Sequence, residues 1–272
     1  AGVIGLEFAS VFSAFGSEVT VLEYAKEVLP HFDSDLAKRL RQSLGKRGIK
    51  IETQAAVKSI AKEGDGLAVA YERKGKEQSV TADKVLMAVG RRANVGTLNL
   101  AGVEFSPRGI AVDGNMQTNV PHVYAVGDVN GLMMLAHAAT FQGIRALDAI
   151  MGVDDNLRLD VIPAAVFTMP EVGMVGLTED DCKAQGIEYV AKKAFFRANG
   201  KAVCLDETDG YCKLIAAADG RLLGCHIYGP HAADLVQEAC ALITRGDSIA
   251  DLQGIVHSHP TLSEIVQSAA HC

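Results

Sequence analysis

Over the first fifty residues the apolar positions alternate between a helical and a strand-like period. Ile4, Phe8, Val11, Phe12 and Phe15 recur at helical spacing, and Gly16 supplies a stop. Glu18 to Glu23 then alternates polar with apolar side chains, the pattern of a strand. Asp33 or Ser34 can cap a second helix carrying Leu36, Leu40 and Leu44, ended by Gly45 or Gly48, and Ile49–Thr53 reads as the next strand. Helices and strands alternating at this length predict a parallel sheet with crossover helices.

From residue 57 to residue 90 the pattern changes. Val57–Ala61, Leu67–Glu72 and Gln78–Thr81 predict short antiparallel strands with glycine and charge at their turns, and Lys84–Val89 predicts a buried strand ending at Gly90-Arg91-Arg92. A looser stretch follows, up to a predicted strand at His122–Val126, a turn at Gly127-Asp128 and a helix over Ala136–Met151. A linker at Leu157–Pro163 leads to a third region. There, strands such as Tyr211–Ala217 and Leu222–Tyr228 alternate with helices at Thr178–Gln185, Ala232–Arg245 and Thr261–Ala270, an α+β arrangement. No internal repeat or low-complexity tract interrupts the chain.

Composition narrows the classes. The 272 residues fit about two domains, and 49% hydrophobic with 22% charged residues is an ordinary globular balance. A net charge of -7 with both signs interspersed gives no footprint for nucleic acid or anionic lipid, and no apolar run reaches the length of a membrane span. The six cysteines, Cys182, Cys204, Cys212, Cys225, Cys240 and Cys272, form neither C-x-x-C nor C-x₄-C, so their spacing reads as reduced thiols and predicts no metal site. Ala1 opens directly into a motif, so targeting information upstream stays open.

Three motifs carry candidate chemistry. Ala1-Gly2-Val3-Ile4-Gly5 looks like the end of a G-x-G-x-x-G turn, whose glycines let backbone amides approach a pyrophosphate. Glu23, 18 residues beyond Gly5 at the end of a strand, can accept hydrogen bonds from ribose hydroxyls and repel a 2′-phosphate, favouring NAD over NADP. A packing turn with a solvated glutamate fits these residues equally well. Asp128 follows a predicted strand and precedes a helix opening at Met134-Leu135-Ala136-His137; it can hold a polyol chain, or simply cap the turn. In His257-Ser258-His259-Pro260-Thr261-Leu262-Ser263-Glu264, an imidazole able to pass protons to a thiolate stands five residues before an acid able to orient it. Thr261-x-x-Glu264 also fits a helix capping box, which would occupy the acid structurally.

Taken in order, the stretches GVIGLEFASVFSAFGSEVTVLE, MAVGRRAN, TNVPHVYAVGDVNGLMMLAHAA, IPAAVFTMPEVGMVGLTEDD, LGCHIYGPHAADLVQEA and HSHPTLSE resemble the pyridine nucleotide-disulfide oxidoreductases, and within them the dihydrolipoamide dehydrogenase branch. The resemblance implies an α/β fold: a partial Rossmann-like NAD domain over 1–91 lacking its first strand, part of an FAD domain over 92–158, and an α+β interface domain over 159–272. It implies FAD and NAD as cofactors, with Gly2, Gly5, Glu7, Glu23, Val57 and Gly90 toward NAD. Asp128, Met134, Leu135, Ala136 and His137 would lie toward FAD, and His259 with Glu264 would be the acid/base pair serving the other subunit of a homodimer.

The reaction implied is dihydrolipoamide plus NAD⁺ to lipoamide plus NADH. The expected partner is a lipoyl domain of a 2-oxoacid dehydrogenase complex or glycine cleavage system, and the expected compartment is bacterial cytoplasm or mitochondrial matrix. The family's N-terminal half and its C-x₄-C disulfide are not in this sequence, so the chain is expected to be inactive alone. Alternatives are a disulfide or mercuric reductase of the same superfamily, for which the cysteine at 272 speaks, or a non-catalytic dimerising module.

Overall fold

The computed structural model describes residues 1–96 and 101–272. The chain divides into two compact units, one of residues 1–89 with 163–272, the other of residues 90–162.

The first unit begins with helix α1 (Val3–Ala14), strand β1 (Thr20–Glu23), helix α2 (Ser34–Lys46) and strand β2 (Lys50–Thr53). β1 and β2 pair in parallel, with Thr20 opposite Lys50 and Glu23 opposite Thr53, so α2 is the expected crossover helix. Asp33 caps α2, accepting the Leu36 amide at 3.1 Å. α2 buries Leu36, Ala37, Leu40 and Leu44 in one stripe. Against that stripe lie Leu6 and Ala9 of α1, Val28 and Leu29, and, from the far end of the chain, Val166, Val172, Tyr211 and Tyr228.

α1 is the predicted helix, but it buries a different face. Leu6 and Ala9 are buried, whereas Ile4, Phe8, Val11 and Phe12 are each more than 40% exposed. Leu6 and Ala9 reach the α2 stripe, while the residues that marked the period stay exposed, Phe8 stacking on Phe12.

Strands β3 (Ala55–Glu63), β4 (Gly66–Arg73) and β5 (Lys76–Ala82) form an antiparallel meander in that order. The buried strand predicted at Lys84–Val89 is corrected. These residues pair with no strand among those described, and Leu86, Met87 and Val89 are exposed, Val89 to 86%. Without ladder partners an apolar run has no route to strand burial, whatever its propensity.

The same unit continues with strands β6 (Ala164–Val166) and β7 (Glu171–Gly176), helix α4 (Glu179–Gln185), strand β8 (Tyr189–Phe195), helix α5 (Gly200–Cys204), strands β9 (Tyr211–Ala217) and β10 (Leu222–Gly229), and helices α6 (Ala232–Arg245), α7 (Ile249–Gln253) and α8 (Glu264–His271); α3 lies in the other unit. The strands build an antiparallel sheet in the order β6-β7-β10-β9-β8. β9 and β10 are buried along nearly their whole length because α6 packs against β7 and β10 on one face and α8 against β8 and β9. Close approach of α6 depends on Gly173, where a Cβ would stand 2.2 Å from the Ala232 carbonyl oxygen.

In the second unit the strand predicted at His122–Val126 reduces to a single bridge between Gln117 and Tyr124. Backbone bonds from Ala125 to Met116 and from Thr118 to Val123 flank that bridge, and the Asn130 side chain donates to the Ala125 carbonyl at 3.0 Å and to Gln142 Oε1 at 2.9 Å. A 3₁₀ turn over Gly127–Asn130 precedes helix α3 (Ala136–Met151), which has the predicted bounds.

Candidate active site and nucleotide-binding segments

Helix α8 begins later than its pattern predicted, at Glu264 rather than Thr261. Thr261 is not the cap: its hydroxyl donates to the Ser258 carbonyl at 2.7 Å. Glu264 stands in the first turn, where the helix dipole favours a carboxylate. Its Oε2 accepts the Thr261 amide at 2.8 Å, and its Oε1 lies 2.9 Å from His259 Nδ1. The Thr261 amide and the His259 ring together hold the Glu264 carboxyl below the usual value for glutamate. The capping box is thus not formed, yet Glu264 still holds the Thr261 amide through one oxygen and faces the His259 ring with the other.

A carboxylate can only accept, so the hydrogen bond assigns the proton to Nδ1 and leaves the Nε2 lone pair for a reacting proton. The ring is 76% exposed, and the N-terminal turn of α5 lies beside it, a Cβ on Gly200 reaching 4.0 Å from Cε1. An imidazole fixed in one tautomer and open on its far nitrogen is equipped for acid/base work.

At the other end of this unit, Gly2 is the N-cap of α1 without any side-chain cap, and a Cβ there would meet nothing within 4 Å. Gly2 thus leaves room beside the start of α1, and a helix N-terminus favours an anion. Gly5 faces Ala88, 3.4 Å from a built Cβ. Glu23, at the end of β1, accepts the Ala1 amine at 2.5 Å and the Ala25 amide at 2.6 Å. The structure thus brings Glu23 and the start of α1 together. Glu7 points elsewhere, accepting the Phe167 amide at 2.9 Å, and Val57 is exposed on β3.

Gly90, with φ +108°, belongs to the second unit together with Asp128 and Met134–His137. Asp128 sits in the 3₁₀ turn with its side chain half-exposed and Arg91 Nη2 at 3.6 Å. Gln142 Oε1 accepts both the Gly127 amide at 2.8 Å and the Asn130 amide group, locking that turn against α3. Sequence reading missed Asn130 and Gln142; two buried amides flanking an acidic turn were the available signal. The N-cap of α3, Leu135, carries no side-chain cap, Met134 is half-buried, and Ala136 and His137 are exposed. A carboxylate beside an uncapped helix start suits a hydroxylated chain attached to an electron-rich ring, so the residues fit the flavin that the resemblance implies.

Two cysteines come together that spacing had kept apart: Cys212 Sγ on β9 lies 3.9 Å from Cys225 Sγ on β10, and both are buried. The neighbouring thiol and burial push Cys212 well above its ordinary value, which suits an inert core pair. Among the described residues no group of three or more His, Cys, Asp or Glu side chains could hold a metal, and no helix is long and apolar enough to cross a membrane.

Comparison with known proteins decides the family. Residues 1–143 match the family described as pyridine nucleotide-disulphide oxidoreductase, and residues 162–270 match the dimerisation domain of the same family. The chain belongs to the pyridine nucleotide-disulphide oxidoreductase family. Members of this family use FAD and NAD. Curated relatives include the dihydrolipoyl dehydrogenase of Bacillus subtilis, 40% identical over 99% of this chain and 58% of that protein. The leghemoglobin reductase of Glycine max is 39% identical over 99% of this chain and 53% of its own length. Among solved structures, LpdA from Mycobacterium tuberculosis superposes with a TM-score of 0.91 at 27% identity, covering 100% of this chain and 60% of LpdA. The HOCl-induced flavoprotein disulfide reductase RclA from Escherichia coli gives 0.88 at 25% identity, over 99% of this chain and 62% of RclA. The α/β family fold expected from sequence stands, and the chain spans a little under three-fifths of the B. subtilis relative.

Proposed function

We propose that this chain forms the NAD-binding, partial FAD-binding and interface portions (1–91, 92–158 and 159–272) of a dihydrolipoamide dehydrogenase, and that His259 with Glu264 is its acid/base pair. The observation that carries the reading is the 2.9 Å contact between His259 Nδ1 and Glu264 Oε1 on an otherwise open ring. In the overall reaction two thiols of dihydrolipoamide lose two hydrogens. One leaves as hydride equivalent to NAD⁺, giving NADH, and the other as a proton, which the free Nε2 of His259 accepts and passes to solvent. Glu264 holds the ring in the tautomer that makes this possible and steadies the imidazolium that forms.

FAD, when bound, supplies a two-electron relay between dithiol and nicotinamide. Asp128 and the start of α3 would hold it; Gly2, Gly5, Glu23, Val57 and Gly90 would hold NAD, with Glu7 nearby. The thiol pair comes from residues outside this sequence. Dimerisation through the interface portion lets the pair serve the partner's thiols, and the natural substrate is a lipoyl domain of a 2-oxoacid dehydrogenase complex or glycine cleavage system. The compartment is the cytoplasm in a bacterium or the mitochondrial matrix in a eukaryote.

The test is NADH formation from dihydrolipoamide and NAD⁺ by the full-length gene product. The full-length protein should turn over, the 272-residue chain alone should not, and His259→Gln in the full-length protein should lower turnover by about 10² to 10⁴. A full-length protein that ignores dihydrolipoamide, or whose rate survives His259→Gln, ends the reading.

A further inference from the structure

His259 stands on a connection, residues 254–263, that has no strand or helix of its own to hold it. Two residues before it lies a second imidazole–carboxylate pair, with the opposite exposure. His257 Nε2 is 2.9 Å from Glu238 Oε1 and 3.2 Å from Oε2, its Nδ1 is 3.1 Å from the Ile255 carbonyl oxygen, and its side chain is only 5% exposed. Glu238 belongs to α6, which is fixed to the sheet by Val236, Ala239, Leu242 and Ile243. A hydrogen bond from a nearly buried ring to a carboxylate on a rigid helix thus sits at most about 7 Å of chain from the open ring. Val256, the residue before His257, is 92% exposed, and the Ile255 carbonyl beyond it also accepts Gln267 Nε2 at 2.9 Å.

We infer that His257 and Glu238 are positioning residues for His259, setting its distance and angle to the reacting thiol while Glu264 sets its tautomer. The inference rests on the acid/base assignment of His259. It gives the repeated histidine of the motif a division of labour: the buried ring anchors and the exposed ring reacts. Asn199 adds a second tether, donating to the Thr261 carbonyl at 3.0 Å, but it holds the segment after His259, not the one that delivers it. Misplacement of a catalytic group by about 1 Å can lower turnover by about 10²-fold, so a lost anchor reads out in rate before it reads out in binding.

The experiment compares Glu238→Leu, Glu238→Gln and His257→Leu in the full-length protein, loaded with its cofactors. Three readouts are taken: dihydrolipoamide oxidation, NADH oxidation by an artificial quinone that bypasses the thiols, and amide exchange over residues 255–262. Glu238→Leu and His257→Leu should lower kcat for dihydrolipoamide about tenfold or more, with KM for NAD⁺ and the quinone reaction unchanged and exchange over 255–262 faster. Glu238→Gln keeps an oxygen that accepts from Nε2 and should retain most of the rate. Equal rates in Leu and wild-type proteins, or parallel loss of both reactions, overturn the positioning role. Failure of the wild-type protein to oxidise dihydrolipoamide, or an indifferent His259→Gln variant, overturns the functional reading instead.

Discussion

His259 and Glu264 are joined at 2.9 Å across a turn that ends in the first residue of α8, so one side chain both opens a helix and orients a ring. The same carboxylate holds the Thr261 amide through its other oxygen, which fixes the acid against rotation before the imidazole is considered. The pairing is rigid because the helix needs it.

Substituting Glu264→Gln separates the two duties. The amide oxygen can still accept the Thr261 N–H, so far-ultraviolet circular dichroism and dimer formation should be preserved. The charge that steadies the imidazolium is lost, and kcat for thiol oxidation in the full-length protein should fall by at least about 10²-fold. Because the Glu264 carboxyl lies below its ordinary value in the folded chain, its contribution to stability is full above the unfolded pKa. That contribution is lost as pH falls through the lowered value. An acid titration of unfolding should show this carboxylate's share missing in the Gln variant.

Lys213 is wholly buried on β9, with Asp33 Oδ1 at 2.5 Å and Glu179 Oε1 at 2.7 Å. Asp33 caps α2 and Glu179 opens α4, so one ammonium on β9 ties both helices to the five-stranded sheet. Burial alone would raise the Asp33 carboxyl; the Lys213 hydrogen bond and the charges around it hold it below the ordinary value instead. Lys213→Met strands a buried carboxylate and should cost about 3–5 kcal/mol, measured as the shift in urea midpoint. The cluster's contribution is present above the ordinary carboxylate pKa of about 4 and disappears as pH falls through the lowered value. Wild type and variant should therefore converge in strong acid; a gap that stays constant with pH would assign the loss to packing.

Local patterns were legible where the elements answer to their own residues. The bounds of α3 and α6 and the Asp33 cap of α2 follow from periodicity and cap chemistry alone. The site was half legible. His259 and Glu264 stood out as a motif, but whether the acid served helix or ring could not be read from a spacing that suits both. His257 was unreadable because Glu238, its partner, is 19 residues away on another helix. Lys84–Val89 misled for a related reason: burial of an apolar strand depends on neighbours in space, and no strand among the described residues pairs with it.

Two glycines should respond to alanine in opposite directions. At Gly173 a Cβ would meet the Ala232 carbonyl oxygen at 2.2 Å and Val236 Cβ at 3.0 Å, so α6 must lift from β7. Gly173→Ala should cost about 1–3 kcal/mol, and since α6 carries Glu238 it should also slow thiol oxidation. At Gly45, inside α2, a Cβ would meet nothing within 4 Å, and Gly45→Ala should stabilise by about 0.5–1 kcal/mol through helix propensity. Denaturant unfolding of both variants checks the contrast; a neutral Gly173→Ala would show the helix–sheet contact to be looser than drawn.

Glu23 ends β1 beside the uncapped start of α1 and accepts the Ala25 amide at 2.6 Å. On the proposed function, its carboxylate accepts from ribose hydroxyls and repels a 2′-phosphate. A hydrogen bond to a charged acceptor contributes about 1.5–3 kcal/mol, so Glu23→Ala should raise KM for NAD⁺ by about 10- to 100-fold. Turnover at saturating NAD⁺ should hold, because Glu23 touches neither thiol nor imidazole. With the repelling charge gone, NADP⁺ should be used better relative to NAD⁺ than before. A wild-type protein that already prefers NADP⁺ would place the dinucleotide elsewhere and leave Glu23 with only its backbone contacts to explain it.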